Sequence, residues 1–248
     1  RYSINNGQTY GIWGASNTYT TGLNDGGYTF IFQAQDAAGN ISTGPTQAFT
    51  IDTQPPTGLS ITAYPSNPTN STSATFQVSS SGATGYRYSL DGTWGDWIAT
   101  NSVTYNNLSN GQHTFDFEAK DDAGNITAYS SNYIWTVNTQ GPTNLSITSG
   151  PAGPTNDNTP TFTVTATGAT QYRYSTNNGS TYGTWGTSNS YTSAVLSDGA
   201  YTFIFQAQDA AGNISTGPSQ AFTVDTQAPT ALSITLGQRA ATKPSNPS

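Results

Sequence analysis

Four carboxylates are the residues whose type and position could form a metal site: Asp25, Asp52, Asp121 and Asp122. Two or three carboxylates together with loop carbonyls form the hard oxygen site that Ca²⁺ prefers. The chain contains internal repeats, described below, and these carboxylates lie on either side of the junction between residues 1–55 and 56–141. We predict that any bound calcium lies at this first junction. At the second junction Asn110, Asn138 and Asp209 stand instead, and no calcium is predicted there. The alternative is that Asp and Asn cap turns by accepting hydrogen bonds from their own loops.

Aromatic residues with binding chemistry recur along the chain. Trp13, Trp97 and Trp185 occupy equivalent positions, and Trp94 corresponds to a tyrosine in the other two units. Exposed aromatic platforms can bind sugars, but large aromatics also dominate the packing of small sandwich domains. Because the position recurs in every unit, we interpret it as a packing position and keep carbohydrate binding as the alternative.

Arginine recurs with the same period, at Arg1, Arg87 and Arg173. The tyrosines on either side of it alternate toward the core, so the arginine faces outward. This pattern predicts that the guanidinium stacks on neighbouring aromatics or pairs across strands. The partners that a neighbouring strand could offer are Asp116 and Glu118 in the middle unit and Gln33 and Gln206 in the others.

The sequence has few residues in arrangements that could catalyse a reaction. The single histidine, His113, has no second histidine, cysteine or acid in motif spacing, and we interpret it as structural. No nucleophile with an adjacent base and no glycine-rich phosphate loop is found. Cysteine is absent, which excludes disulfides, thiol catalysis and zinc–thiolate sites. We therefore predict a protein that is not an enzyme and has no catalytic or cofactor-binding residues.

The charge balance limits the partners. Only 8% of the 248 residues are charged, and the formal net charge is −7. An acidic surface attracts neither nucleic acid nor anionic membrane. No apolar run reaches the roughly 18 residues of a membrane helix. We expect neither nucleic-acid binding nor membrane insertion within this segment.

Internal repeats organise the chain. Arg-Tyr-Ser recurs at Arg1, Arg87 and Arg173, a spacing of 86 residues, and a Thr-Gln-x-Pro-Thr junction follows Asp52, Asn138 and Asp225. We predict a partial repeat (1–55), two whole repeats (56–141 and 142–228) and the start of another (229–248). A start inside a repeat suggests a segment of a longer protein.

Period-two alternation dominates each repeat, and helical periodicity is absent. Tyr201, Phe203, Phe205 and Ala207 point one way, and the residues between them point the other. About seven short strands per repeat, separated by Gly, Asn, Asp and Pro turns, predict an all-β antiparallel sandwich. The run Asn177-Asn-Gly179 suits a turn with positive φ.

Several turn and junction motifs resemble those of bacterial immunoglobulin-like repeats in large secreted adhesins and biofilm-associated surface proteins. They are Thr155-Asn-Asp-Asn-Thr-Pro160, Leu196-Ser-Asp-Gly199, Asp209-Ala-Ala-Gly-Asn213 and Val224-Asp-Thr-Gln-Ala-Pro229. The resemblance spans essentially the whole chain and implies tandem immunoglobulin-like sandwiches.

From this resemblance we expect a non-catalytic, extracellular stalk on a bacterial cell surface. Its partners would be the neighbouring repeats, and two further candidates are other copies of the chain and surface glycans. Two alternatives stay open, a carbohydrate-binding repeat array and a subunit of a self-assembling filament whose strand edges pair between chains.

Overall fold

The computed structural model describes residues 1–234, and all regular elements in this range are β-strands. The predicted all-β class is therefore confirmed. The chain forms two compact units, one of residues 1–139 and one that begins at Gln140. Most of the predicted further repeat, residues 229–248, lies outside the described residues.

The first 55 residues form a single four-stranded sheet. Strand β2 is its centre and pairs antiparallel with the other three. The strands are β1 (Tyr2–Ser3), β2 (Gly26–Gln35), β3 (Ile41–Thr43) and β4 (Gln47–Ile51). No second sheet covers the aromatic face of β2 among the described residues, so Phe32 is 38% exposed.

The middle repeat has two sheets. The three-stranded sheet runs in the order β5 (Thr57–Ala63), β6 (Ala74–Ser81), β9 (Ser102–Tyr105). The five-stranded sheet contains β7 (Gly85–Leu90), β8 (Thr93–Trp94), β10 (Gly111–Lys120), β11 (Ile126–Ala128) and β12 (Tyr133–Val137). Buried residues of both sheets form one core, in which the rings of Phe76 and Phe115 stack with centroids 3.8 Å apart.

The second unit repeats this arrangement. Its three-stranded sheet contains β13 (Thr143–Ser149), β15 (Thr161–Thr167) and β17 (Ser190–Thr192). Its five-stranded sheet contains β14 (Pro154–Thr155), β16 (Gln171–Ser175), β18 (Gly199–Gln208), β19 (Ile214–Thr216) and β20 (Gln220–Val224), and only β14 pairs in parallel. Phe162 stacks on Phe203 with centroids 3.9 Å apart.

The alternation in the sequence is confirmed by the burial of the central strands. In β10, His113, Phe115, Phe117 and Ala119 are buried, and the intervening residues are half-buried. Side chains of a strand alternate between its two faces, so one face of β10 packs into the core. The predicted positive-φ turn is also present, since φ is 56° at Asn178 and 79° at Gly179.

Candidate functional site

An arginine lies against two aromatic rings in each of the three repeats. In the second unit, the guanidinium carbon of Arg173 lies 4.9 Å from the ring centroid of Tyr182 and 4.6 Å from that of Trp185. The equivalent contacts of Arg87 are with Trp94 at 5.0 Å and Trp97 at 5.1 Å. Those of Arg1 are with Tyr10 at 4.8 Å and Trp13 at 4.7 Å. These groups are called the arginine–aromatic clusters below.

A cross-strand acceptor completes each arginine–aromatic cluster. Arg87 and Glu118 are directly paired between β7 and β10, and two guanidinium nitrogens lie 2.6 Å from Glu118 Oε2. Arg173 Nε donates to Gln206 Oε1 at 2.7 Å, and Arg1 Nε donates to Gln33 Oε1 at 2.9 Å. The predicted stacking and cross-strand pairing are both confirmed. Each arginine therefore already has two ring partners and an acceptor inside its own repeat.

Replacing Glu118 by glutamine is expected to lower the stability of the middle repeat by less than about 1 kcal/mol, because a partly exposed ion pair contributes little. Glutamine stands at the equivalent position in both other repeats and accepts the same hydrogen bond. The salt dependence of the unfolding midpoint should also weaken, since the charge pair is gone. Urea unfolding at low and high salt measures both effects. A loss of several kcal/mol would show that the ion pair is structurally essential.

The predicted calcium ligands are engaged in turns. Asp25 Oδ1 accepts hydrogen bonds from the Thr53 amide at 3.0 Å and its hydroxyl at 2.9 Å, which lowers the pKa of Asp25. Asp52 Oδ1 accepts from the Gln54 amide at 3.0 Å. Asp121 accepts from the Asn125 side chain and amide, and these bonds lower its pKa. Asp122 is exposed on the same loop.

The second junction uses the same turn chemistry with a neutral side chain. Asn110 Oδ1 accepts from the Thr139 amide at 3.0 Å, as Asp25 does from Thr53. Asp198 accepts equivalently from Thr226 at 3.0 Å. An amide oxygen and a carboxylate oxygen thus accept the same backbone hydrogen bond at this position. This favours turn capping over metal binding as the role of the position.

Calcium at the first junction stays a prediction. Within residues 1–234, no three or more acidic, histidine or cysteine side chains are grouped as a metal site requires. Calorimetric titration of Ca²⁺ into the chelator-treated full chain measures binding directly. The calcium prediction expects heat that is lost in Asp122→Asn and kept in Asp209→Asn, its counterpart at the second junction. No heat in the unmodified chain, or equal heat in all three proteins, would refute it.

His113 is structural, as predicted, but it has a charged partner that the sequence did not indicate. Its Nδ1 lies 2.8 Å from Asp91 Oδ2, and its Nε2 lies 2.9 Å from the Ser109 carbonyl oxygen. Burial disfavours the imidazolium, but the bonds to Ser109 and Asp91 outweigh this effect and raise the pKa of His113. Asp91 lies 22 residues earlier, in the Asp-Gly turn between β7 and β8, and only the pairing of β7 with β10 brings the two together.

None of the described residues forms a helix of the length and apolarity that crossing a bilayer requires.

Similarity to known proteins agrees with this fold. Two family models described as bacterial Ig-like domain match residues 2–53 and 144–226. Chitinase A1 of Niallia circulans is 33% identical in a match of 160 residues that covers 60% of this chain. The match covers 22% of the chitinase, so the chain spans about a fifth of that protein's length.

Solved structures with a related arrangement include fibronectin(III)-like modules of Clostridium thermocellum CbhA. They are 13% identical, with a TM-score of 0.49 over 67% of this chain and 94% of theirs. A tetra-tandem repeat from the extending region of a large adhesion protein is 21% identical, with a TM-score of 0.29 over 82% of this chain and 58% of that one. Residues 2–53 and 144–226 therefore belong to the bacterial Ig-like domains, and the internal repeats of the chain agree with these matches.

Proposed function

We propose that this chain is a non-catalytic stalk segment of an extracellular bacterial surface protein, and that its repeats hold a distal adhesive part away from the cell. The family supports an extracellular structural role, and so do the absence of cysteine and the low charge. The polar groups of the arginine–aromatic clusters and of the turn carboxylates are used within the fold. This leaves the segment suited to a mechanical rather than a chemical task.

The observation that carries the proposal is how the linker into the middle repeat is held. The side-chain amide of Asn125 donates to the Asp52 carbonyl oxygen at 3.0 Å, and the Thr127 hydroxyl donates to the Pro56 carbonyl oxygen at 2.6 Å. Pro56 itself is buried. Proline fixes φ, and both bonds remove freedom from a segment that would otherwise act as a hinge.

The second unit packs its entering segment against the same element. A Cβ added to Gly141 would lie 2.5 Å from the Ser215 hydroxyl oxygen on β19, which corresponds to β11 of the middle repeat. A larger residue would fit here only if the Ser215 hydroxyl rotated away, so the glycine allows the observed close approach. The middle repeat and the second unit thus each hold the peptide that leads into them with the strand after the Asp-x-Ala-Gly-Asn loop.

Carbohydrate binding is the less favoured alternative. The observation in its favour is that aromatic rings such as those of Trp13 and Trp94 are 38% and 39% exposed. Each of these rings already contacts an arginine of its own repeat, which reduces the ring area open to a sugar. Glycan binding that is lost in Trp97→Ala and Trp185→Ala, with folding retained, would favour this alternative over the stalk.

Small-angle X-ray scattering of the full chain tests the stalk proposal. We expect an elongated profile, because a stalk must keep its ends apart. Replacing Asn125 by alanine together with Thr127 by valine should broaden the distance distribution, since the linker into the middle repeat loses both hydrogen bonds. Thr104→Val, an exposed strand position away from the linker, is the matched control. A compact particle would refute the stalk, and concentration-dependent association would favour the filament instead.

A further inference from the structure

The middle repeat has an open cleft between the edges of its two sheets, with a volume of about 620 Å³. One wall comes from β7 and the segment after β8, including Tyr88, Leu90 and Ile98, and the other comes from β9, including Val103 and Tyr105. Asp96 lies at its rim. This region is called the edge cleft below.

The edge cleft depends on side chains that are particular to the middle repeat. Tyr191 stands at the position of Val103 in the second unit, and its ring stacks on that of Tyr174 at 5.1 Å and contacts Phe203 at 6.1 Å. Tyr19 makes the same contacts in the first repeat. Valine cannot fill the volume of a tyrosine ring, and in this repeat Tyr105, two residues further along β9, contacts Phe115 instead at 6.5 Å, so the space beside Val103 stays open.

Strand β9, which forms one wall, is also an unpaired sheet edge. It pairs with β6 on one side and is the last strand of the three-stranded sheet on the other. Natural edge strands are usually protected by lysine, proline or a bulge, because their free backbone groups recruit further strands. Strand β9, Ser-Val-Thr-Tyr, is short at four residues, which limits strand addition to a short segment, but it has no lysine, proline or bulge and its pairing with β6 is regular.

The charges around the edge cleft favour a cationic partner. Arg87 is paired with Glu118, Asp91 is paired with His113, and Lys120 is held on the Trp97 ring, with its Nζ 4.8 Å from the ring centroid. Asp96 makes no hydrogen bond or ion pair with the residues that the structure describes, and it is exposed. A basic side chain placed at the rim would give this carboxylate its counterion.

We propose that the edge cleft binds an extended, positively charged peptide segment of a partner protein. The segment adds to β9 as a further strand, places one apolar side chain in the hollow beside Val103, and directs a lysine or arginine toward Asp96. Main-chain hydrogen bonds supply affinity in such strand addition, and the pocket for an alternate side chain supplies specificity. The walls combine the rings of Tyr88, Trp94 and Tyr105 with the aliphatic side chains of Leu90, Ile98 and Val103, so an apolar peptide side chain that enters the hollow is covered by apolar surface. This inference goes beyond the stalk and gives one repeat a capture function.

Fluorescence anisotropy with the full chain tests the proposal. The probe is a fluorescein-labelled peptide of alternating valine and threonine with a lysine at each end. We expect saturable binding, and a loss of more than about tenfold when alternate backbone amides of the probe are methylated, because strand addition needs those donors. Val103→Tyr, which restores the residue of the other repeats, should weaken binding by a similar factor.

Charge variants keep the test decisive if Val103→Tyr alters folding. Asp96→Lys should weaken binding of the lysine probe and strengthen binding of a glutamate-ended probe. Asp157→Lys changes the net charge equally at an exposed turn of the second unit and should leave both affinities nearly unchanged. Equal binding of the methylated probe, equal effects of the two charge variants, or no binding at all would overturn the proposal. Binding of a neutral oligosaccharide that Val103→Tyr abolishes, with no peptide binding, would reassign the edge cleft to sugars.

Discussion

Replacing Phe115 by alanine is expected to destabilise the middle repeat by about 3–5 kcal/mol, the range typical of removing a buried phenyl ring. Phe115 is fully buried, stacks on Phe76 at 3.8 Å, and contacts Tyr88 at 5.9 Å and Phe117 at 6.3 Å. Both sheets meet at this ring, so its removal leaves a cavity that neither sheet can fill without moving. Calorimetry of the full chain should show one transition shifted to a markedly lower temperature.

The first repeat provides a matched control at the same position. Phe30 corresponds to Phe115, but it is only half-buried, and its ring contacts are with Tyr2 at 5.8 Å and Tyr19 at 6.1 Å. Without an opposing stacked phenyl ring, Phe30→Ala should cost much less than Phe115→Ala. Equal losses in the two variants would mean that the stacked pair across the sheets is not the source of the stability.

The middle repeat should lose stability as the pH rises from about 6.5, the ordinary pKa of histidine, through the raised pKa of His113. The two ring nitrogens face the Asp91 carboxylate and the Ser109 carbonyl oxygen, both of which are acceptors. Only the imidazolium can donate to both. A group whose pKa is raised on folding stabilises the fold fully below its unfolded pKa, and this contribution disappears above the folded one.

The pKa of Asp91 determines the low-pH end of the range in which the His113–Asp91 pair stabilises the middle repeat. Burial alone would raise its pKa, but hydrogen bonds from His113 and Thr114 outweigh that effect and lower it. A group whose pKa is lowered on folding stabilises above its unfolded pKa, so this part is lost as the pH falls below about 3.8. The melting temperature of the middle repeat, followed from pH 3 to 9, should therefore be highest between these limits.

His113→Tyr is the matched control for the pH effect. The tyrosines at this position in the other repeats donate to equivalent carbonyl oxygens, Tyr28 to Asn24 at 2.9 Å and Tyr201 to Ser197 at 3.0 Å. The variant should keep that hydrogen bond and the fold, and lose the fall in stability above about pH 6.5. An unchanged pH profile would show that another group is responsible.

The sequence predicts the strands and the arginine–aromatic clusters because both follow from local regularities. Period-two alternation assigns Phe115 to the core and Arg87 to the outer face. The direct pairing of Arg87 with Glu118 then follows from the adjacency of two neighbouring strands. Patterns of this kind determine where a side chain points before any tertiary contact is known.

Features that depend on contacts between strands distant in the sequence were not predicted. The edge cleft exists because Val103 replaces an aromatic residue, and Val103 fits the strand alternation as well as a tyrosine does. The pairing of Asp91 with His113 requires the turn after β7 to lie beside the start of β10. Neither relation is visible in the spacing of residues along the chain, because each depends on how far apart two strands lie and on the size of the side chains between them.

The differences between adjacent repeats have a consequence for how the protein is made. Similar domains in tandem tend to misassemble by exchanging strands with their neighbours as they fold. Here β10 and β18 carry His113 and Tyr201 at equivalent positions, and β12 and β20 carry Trp135 and Phe222. A strand inserted into the neighbouring repeat would therefore place a phenyl ring where the buried Trp135 belongs, or an indole where the buried Phe222 belongs. The two repeats that share an identical run of 18 residues, Tyr28–Pro45 and Tyr201–Pro218, are separated by one that differs. Such spacing keeps the most interchangeable partners apart while the chain emerges from the ribosome.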